Sequence, residues 1–275
     1  MDVLGVLKVV ASGYGWLKSR INPAHRLSSR LLDALDAHAV PRARVNSLLP
    51  EALRLPLAAW SDADHLKPVL QQGHVDWLID RFHLKREWLE GEHPSANAHI
   101  FCYKQPQLLH EWLASRSGSA ELTDVRLHVV VGTNCDSRQP HGPFALVLEV
   151  MANDDFDCAS RFYHLGEGSH FEHYPCQVHL VQVQAIAHYH GAIMSRSTLR
   201  RRALTRLSLN IGIIPYWLAQ RRSHIHAADY ELWVHFSGQT PELSALRQDA
   251  MNGLRAAGLG LVVDKIATDQ ARYLA

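Results

Sequence analysis

The sequence predicts an α+β protein in two parts, a small all-α domain over residues 1–92 and a larger α/β domain with a mixed sheet over residues 99–275. Short apolar stripes at helical spacing fill the first part, and β-rich apolar runs begin only after it. The segment 92–98, EHPSANA, lies between them and has no apolar periodicity, so we place the domain boundary there. At 275 residues the chain is long enough for two domains.

Short amphipathic helices account for most of the first part. One is predicted over residues 3–17, where it would pack on the following domain or on a second subunit. The next follows Pro23, and its apolar face comprises Leu27, Leu31, Leu32 and Leu35. Pro41 fits the first position of a third helix, and Ser61 is expected to cap another.

The stretch 75–91 carries the most specific pattern of the chain. Its first half predicts one apolar helix face, formed by Val75, Leu78, Ile79 and Phe82. His83 and Leu84 end that helix, and a short second helix carries Trp88 before Gly91, which is free to adopt the left-handed conformation. Over residues 26–91 the arrangement resembles a degenerate lambda-repressor-like (Xre-type) helix-turn-helix domain.

The resemblance implies a DNA-binding module, because the third helix of such a domain lies in the major groove. By position, residues 41–49 would form the second helix, and the third would lie between Glu51 and Trp60. The implied contacts to double-stranded DNA are Arg42, Arg44, Asn46, Ser47 and Arg54. The chain departs from the family pattern where Pro50 and Pro56 interrupt this region.

The second part alternates strand and helix patterns. Strands are predicted at 125–131, 144–150 and 160–165, and a helix at 177–189. The C-terminal tail is predicted as a β-α-β unit with a strand at 230–236, a helix at 241–257 and a strand at 259–263. These patterns favour a sheet covered by helices.

Arginines are frequent in a region without acidic residues. Neither Asp nor Glu occurs from 177 to 228. The candidate anion-binding residues there are Arg196, Arg200, Arg201, Arg202 and Arg206. Alternatively, these arginines pair with an upstream acidic cluster comprising Glu149, Asp154, Asp155, Asp157, Glu167 and Glu172.

Histidine is dense between 164 and 190, where Cys176 also lies. Zinc sites usually show closely spaced ligand pairs at two places in the chain, and only His170 and His173 form such a pair. We therefore expect no metal and no other cofactor. An enzyme that uses this region is the third of three functional hypotheses.

The favoured hypothesis is a non-enzymatic transcriptional regulator of bacterial type that binds DNA through its first domain. The second domain would then sense a ligand, contact a partner or form a homodimer. An adaptor that uses the helical module for protein contacts is the alternative. The four cysteines are widely spaced, which suits reduced thiols in the cytoplasm, and no membrane partner is expected.

Overall fold

A computed structural model describes residues 22–116, 124–135, 140–151, 160–221, 224–226 and 241–274. The chain divides into two compact units, Met1–Ala96 (unit 1) and Asn97–Ala275 (unit 2). This division falls within the segment 92–98. The helix predicted at 3–17 and the strand predicted at 230–236 lie outside the described residues.

Unit 1 consists of short helices. They are α1 (Pro23–Ala37), α2 (Val45–Leu48), α3 (Ala63–Leu66), α4 (Gln72–Phe82) and α5 (Arg86–Glu90). The side chain of Asn22 caps α1 by accepting from the amide of His25. Asp62, and not Ser61 as expected, caps α3, because its carboxylate accepts from the amides of Asp64 and His65.

The sequence pattern at 75–91 agrees with the structure of α4 and α5. Leu78 and Phe82 of α4 are fully buried, and Trp88 of α5 is buried as well. His83 and Gly91 both adopt the left-handed conformation at the ends of these helices. Local end signals and apolar spacing together therefore fix this part of unit 1.

The expected third helix between Glu51 and Trp60 is not an α-helix. Two 3-10 turns, Glu51–Leu53 and Leu57–Trp60, occupy this stretch. Pro50 and Pro56 each directly precede a turn, and the residue before a proline is biased away from the α conformation. Unit 1 therefore has no regular helix at the position expected for major-groove reading.

The second expected helix is also interrupted. Pro41 precedes a 3-10 turn at Arg42–Arg44, where it takes the cap position and not the first helical position. Only Val45–Leu48 is α-helical, a single turn. Both helices that the family resemblance placed in 41–60 are thus replaced by short turns.

Unit 2 contains a mixed sheet. Its strands are β1 (Ala98–His99), β2 (Asp124–Gly132), β3 (Ala145–Met151), β4 (Ser160–His164), β5 (Ile193–Leu199) and β6 (His224–His226). The spatial order is β1-β4-β3-β2-β5-β6. Strands β1 and β4 are parallel, as are β2 and β5, while the other neighbouring pairs are antiparallel.

Helices cover both faces of this sheet. Those of unit 2 are α6 (Pro106–Ala114), α7 (Tyr174–Tyr189), α8 (Arg201–Ser208), α9 (Ile214–Leu218), α10 (Pro241–Ala256) and α11 (Gly260–Leu274). Leu127 and Val129 pack into the core that contains α6, α7, α10 and α11. Val130 points to the opposite face and packs with α8 and α9, as expected from the alternation of side chains along a strand.

The strand predicted at 259–263 is wrong, because this stretch is helical. Gly258 has a φ of 79° and ends α10, and α11 begins two residues later. Val262, Val263 and Ile266 are buried at helical spacing. A short β-branched run looks like a strand, but its packing against α7 and α10 favours a helix.

No helix in the described ranges is long and apolar enough to span a membrane.

Candidate nucleic-acid interface

Arg42 of unit 1 is held by a neighbouring carboxylate. Its Nε donates to Asp36 Oδ1 at 2.8 Å, and its Nη2 donates to Oδ2 at 2.5 Å. Such a two-point contact satisfies the geometry of both planar groups. Arg42 would have to leave Asp36 to contact a phosphate.

Asn46 and Ser47 contact groups within unit 1. Asn46 Nδ2 donates to the carbonyl of Leu55 at 2.6 Å, and its Oδ1 accepts from the Leu55 amide at 3.2 Å and from Trp60 Nε1 at 3.0 Å. Ser47 Oγ donates to the carbonyl of Arg44 at 2.7 Å. Asn46 thus joins α2 to Leu55, which lies between the two 3-10 turns, and to Trp60 at the end of the second turn.

Arg44 and Arg54 are exposed, and neither forms an ion pair with a described residue. Of the predicted DNA contacts in unit 1, these two have guanidinium groups that can bind a phosphate without leaving a described carboxylate.

The arginine face of unit 2 comprises Arg200, Arg201, Arg202 and Arg206. All four are exposed, on α8 and at the residue before it. Arg196, which the sequence grouped with them, is only 6% exposed and lies within β5, so it does not belong to this face. Its Nη2 donates to the carbonyl of Cys135 at 3.5 Å.

The amphipathic sequence of α8 directs these arginines outward. Ala203, Leu204 and Leu207 are buried in the core of the second sheet face, with Val130 among their neighbours. Positions 201, 202 and 206 lie on the other side of the helix, because three to four residues make one turn. Burial of the apolar side therefore holds the guanidinium groups in solvent.

No carboxylate of the described residues forms an ion pair with the arginine face. The proposed acidic partners have other contacts: Glu149 with His128, Glu167 with His99 and Asn210, and Glu172 with His170. Asp154, Asp155 and Asp157 lie outside the described residues. The pairing alternative therefore has no support from the described part of the cluster.

Local backbone polarity adds to the positive charge. Arg200, Arg201 and Arg202 occupy the start of α8, where the helix dipole is positive and no side chain caps the free amides. A cavity of about 220 Å³ opens beside this helix start, lined by Leu199, Arg200, Ala203 and Gln220. Positive side chains at the positive end of a helix dipole are unfavourable unless an anion is bound. The start of α8 therefore suits a bound phosphate.

Aromatic residues border the arginine face. Tyr216 is 53% exposed, and the Arg206 guanidinium lies 6.0 Å from the ring centre of Trp217. Trp217 is fixed in place because its Nε1 donates to the carbonyl of Ile211 at 2.7 Å. Gly212, with a φ of 86°, allows this close approach, since a Cβ there would lie 3.3 Å from the indole nitrogen.

A second charged cluster lies on the sheet itself, around Glu149. His128 donates from Nε2 to Glu149 Oε2 at 2.6 Å, and Ser160 donates to Oε1 at 2.7 Å. Arg126 Nη1 lies 3.7 Å from Oε2. Arg221 donates to His128 Nδ1 at 3.2 Å, so both ring nitrogens of that histidine are used.

The pKa shifts of this cluster agree with the hydrogen bonds of Glu149. Burial alone would raise the pKa of Glu149, but the hydrogen bonds from His128 and Ser160 and the charge of Arg126 lower it to about 2. Burial lowers the pKa of His128 despite the nearby carboxylate. An ionised Glu149 and a neutral His128 without a free nitrogen are poorly suited to proton transfer, which favours a structural role.

The histidines of the region 164–190 have separate partners and do not converge. Their contacts are His164 to the Leu207 carbonyl (2.8 Å), His170 to Glu172 (2.5 Å), His173 to Cys176 (3.3 Å), His179 to the Leu165 carbonyl (3.1 Å), His188 to Asp269 (2.9 Å) and His190 to His110 (3.1 Å). Within the described ranges, no three metal-binding side chains come together.

Comparisons with protein families, with characterised proteins and with solved structures find no match for this chain.

Proposed function

We propose that this protein is a DNA-binding regulator that holds the phosphates of double-stranded DNA on the arginine face of unit 2. The observation that carries the proposal is the set of four exposed guanidinium groups, on α8 and at the residue before it, without a described carboxylate partner. Each guanidinium can donate two parallel hydrogen bonds to a phosphate. Release of condensed counterions from DNA then supplies most of the binding free energy.

The main DNA contact then lies in unit 2 and not in the helical module. The turns at 51–60 cannot enter a groove as a reading helix does, so unit 1 is expected to add little sequence discrimination. Arg44 and Arg54 can add phosphate contacts of their own. Binding is therefore expected to depend strongly on salt and weakly on sequence.

The test is fluorescence anisotropy of a labelled DNA duplex titrated with the full chain over a series of salt concentrations. If all four arginines contact phosphates, the logarithm of the binding constant should fall with the logarithm of salt with a slope of about −3.6. The double variant Arg201→Gln/Arg202→Gln should reduce the size of that slope by about 1.8, since two contacts are lost.

A charge-matched control comes from unit 1. Arg42 and Arg86 are paired with Asp36 and Asp76, so the double variant Arg42→Gln/Arg86→Gln removes the same charge without touching the arginine face. It should leave the slope unchanged. Absence of duplex binding at low salt by a folded protein would overturn the proposal and leave the adaptor hypothesis in place.

A further inference from the structure

A groove between α10 and α11 of unit 2 is lined by basic and apolar side chains. Its volume is about 320 Å³, at the lower end of the range for small-molecule sites. Its residues from α10 are spaced three or four positions apart, so they share one face of that helix. They are Ser244, Arg247, Gln248, Met251 and Arg255.

Arg247 is a partly buried cation of this groove without a described counter-charge. Its Nη2 donates to Oε1 of Gln270 in α11, which is neutral, and its Nε and Nη1 donate to no described residue. Burial lowers the pKa of Arg247, and no described carboxylate offsets that loss of hydration. A charge withdrawn from water is unfavourable unless it is paired, so an anion beside Arg247 would be stabilising.

Arg255 adds a second cation to the same groove. It lies two helical turns after Arg247, is exposed, and forms no ion pair with a described carboxylate. Within the described ranges, no acidic side chain lines the groove, whereas Ser244 and Gln248 bring a hydroxyl group and an amide. Two guanidinium groups, both charged at all ordinary pH values, therefore face one space without a negative charge.

The floor of the groove is apolar. Met251 of α10 and Val263 and Ile266 of α11 line it, and all three are buried. An inorganic ion would use the guanidinium groups alone. A ligand that joins an anionic group to a hydrocarbon group would also cover the apolar floor, which adds a hydrophobic contribution to binding.

We propose that this groove binds a phosphate monoester of a hydrocarbon, with the phosphate held by Arg247 and Arg255 and the hydrocarbon group on the apolar floor. A phosphate monoester carries about 1.5 to 2 negative charges at neutral pH, which matches two guanidinium groups, whereas a carboxylate neutralises only one. Each guanidinium fork can also donate to two phosphate oxygens at once. This inference goes beyond the DNA-binding proposal and does not depend on it.

The experiment is isothermal titration calorimetry of the full chain with phenyl phosphate, inorganic phosphate and benzoate. Phenyl phosphate should bind most tightly. Inorganic phosphate should bind about tenfold more weakly, because it leaves the apolar floor uncovered. Benzoate has the same ring but a single negative charge, and it should bind at least about tenfold more weakly.

Single variants locate the site. Arg247→Gln and Arg255→Gln should each weaken binding of phenyl phosphate at least about tenfold, because the phosphate loses a charged donor. Arg201→Gln is the matched control, since it removes an exposed arginine of α8 and should leave this affinity unchanged. Ala267 is exposed and lines the groove, so Ala267→Phe should obstruct binding without a change in charge.

Three results would overturn the proposal. One is the failure of phenyl phosphate to bind the folded protein. Another is equal weakening by Arg255→Gln and Arg201→Gln, since binding would then reflect the net charge of the chain. The third is an affinity for inorganic phosphate or benzoate equal to that for phenyl phosphate, because the phosphate and the hydrocarbon group would then not both be recognised.

Discussion

Unit 1 and unit 2 carry their positive charge in different ways. In unit 1, Arg42, Lys67 and Arg86 each contact an aspartate. In unit 2, the arginine face has no described carboxylate partner. A basic residue contributes to anion binding only when it is not already neutralised, so unit 1 offers Arg44 and Arg54 for such a contact, and unit 2 offers the four residues of the arginine face.

The units also differ in how they hold buried polar groups. Unit 1 uses single side chains such as Asn46 to satisfy the backbone of its turns. Unit 2 holds a charged network around Glu149 within its sheet, in which the His128 side chain is fully buried and the Arg126 side chain is 40% exposed.

Glu149→Gln should destabilise unit 2 most. The change removes the carboxylate that accepts from His128 and Ser160, and a hydrogen bond to a charged group contributes about 1.5 to 3 kcal/mol, so we expect a total loss of about 3 to 5 kcal/mol. Denaturant unfolding of the wild type and the variant at neutral pH measures the difference. A loss below about 1 kcal/mol would mean that the network behaves like the surface pairs of unit 1.

Acid should weaken both units through histidines whose pKa burial lowers, among them His38 in unit 1 and His179 in unit 2. Burial lowers the pKa of His38 in unit 1 and of His179 in unit 2 to about 4 from an ordinary value of 6.5. Below pH 6.5 these histidines bind protons in the unfolded chain but not in the folded chain. The stability that depends on the neutral imidazoles is therefore fully present above pH 6.5 and is lost as the pH falls to 4. Each loss is on the order of 3 kcal/mol.

Denaturant unfolding across this pH window measures the acid effect. His38→Gln should remove the acid sensitivity of unit 1 only, since glutamine keeps a donor near the Ala34 carbonyl and does not titrate. An acid sensitivity that persists in unit 1 of this variant would show that another group is responsible.

Asn46→Ala should cost unit 1 about 1 to 3 kcal/mol, because the Trp60 indole and the Leu55 backbone lose their partner. Thermal unfolding measures this loss. The affinity of the folded variant for duplex DNA should stay the same, since both ends of the Asn46 amide are used within unit 1. A loss of affinity for DNA without a loss of stability would instead indicate that Asn46 contacts DNA.

Arg42→Gln should have the smallest effect. The pair with Asp36 is partly exposed, and such pairs contribute less than about 1 kcal/mol. The unfolding free energy and the DNA affinity should both change little. A clear drop in affinity would mean that Arg42 leaves Asp36 to bind phosphate. The paired basic residues of unit 1 would then contribute to anion binding as the unpaired ones of unit 2 do.

Sequence alone determined the elements with strong periodicity and clear end signals. Helices α1 and α4, strands β2 and β3 and most of α7 follow from apolar spacing, and His83 and Gly91 end their helices as their positions suggest. The segment 92–98 lacks any apolar pattern, and the division between the two compact units lies within it. These features depend on neighbours along the chain.

Tertiary structure decided the rest. Strand β5 was missed because its sequence, IMSRSTL, places polar residues at positions that the sheet buries, including Arg196. The start of α11 was misread because a short β-branched run has weak local preference, and packing settles its conformation. Which arginines are neutralised depends on carboxylates distant in sequence, so the exposed charge of α8 could be found only in three dimensions.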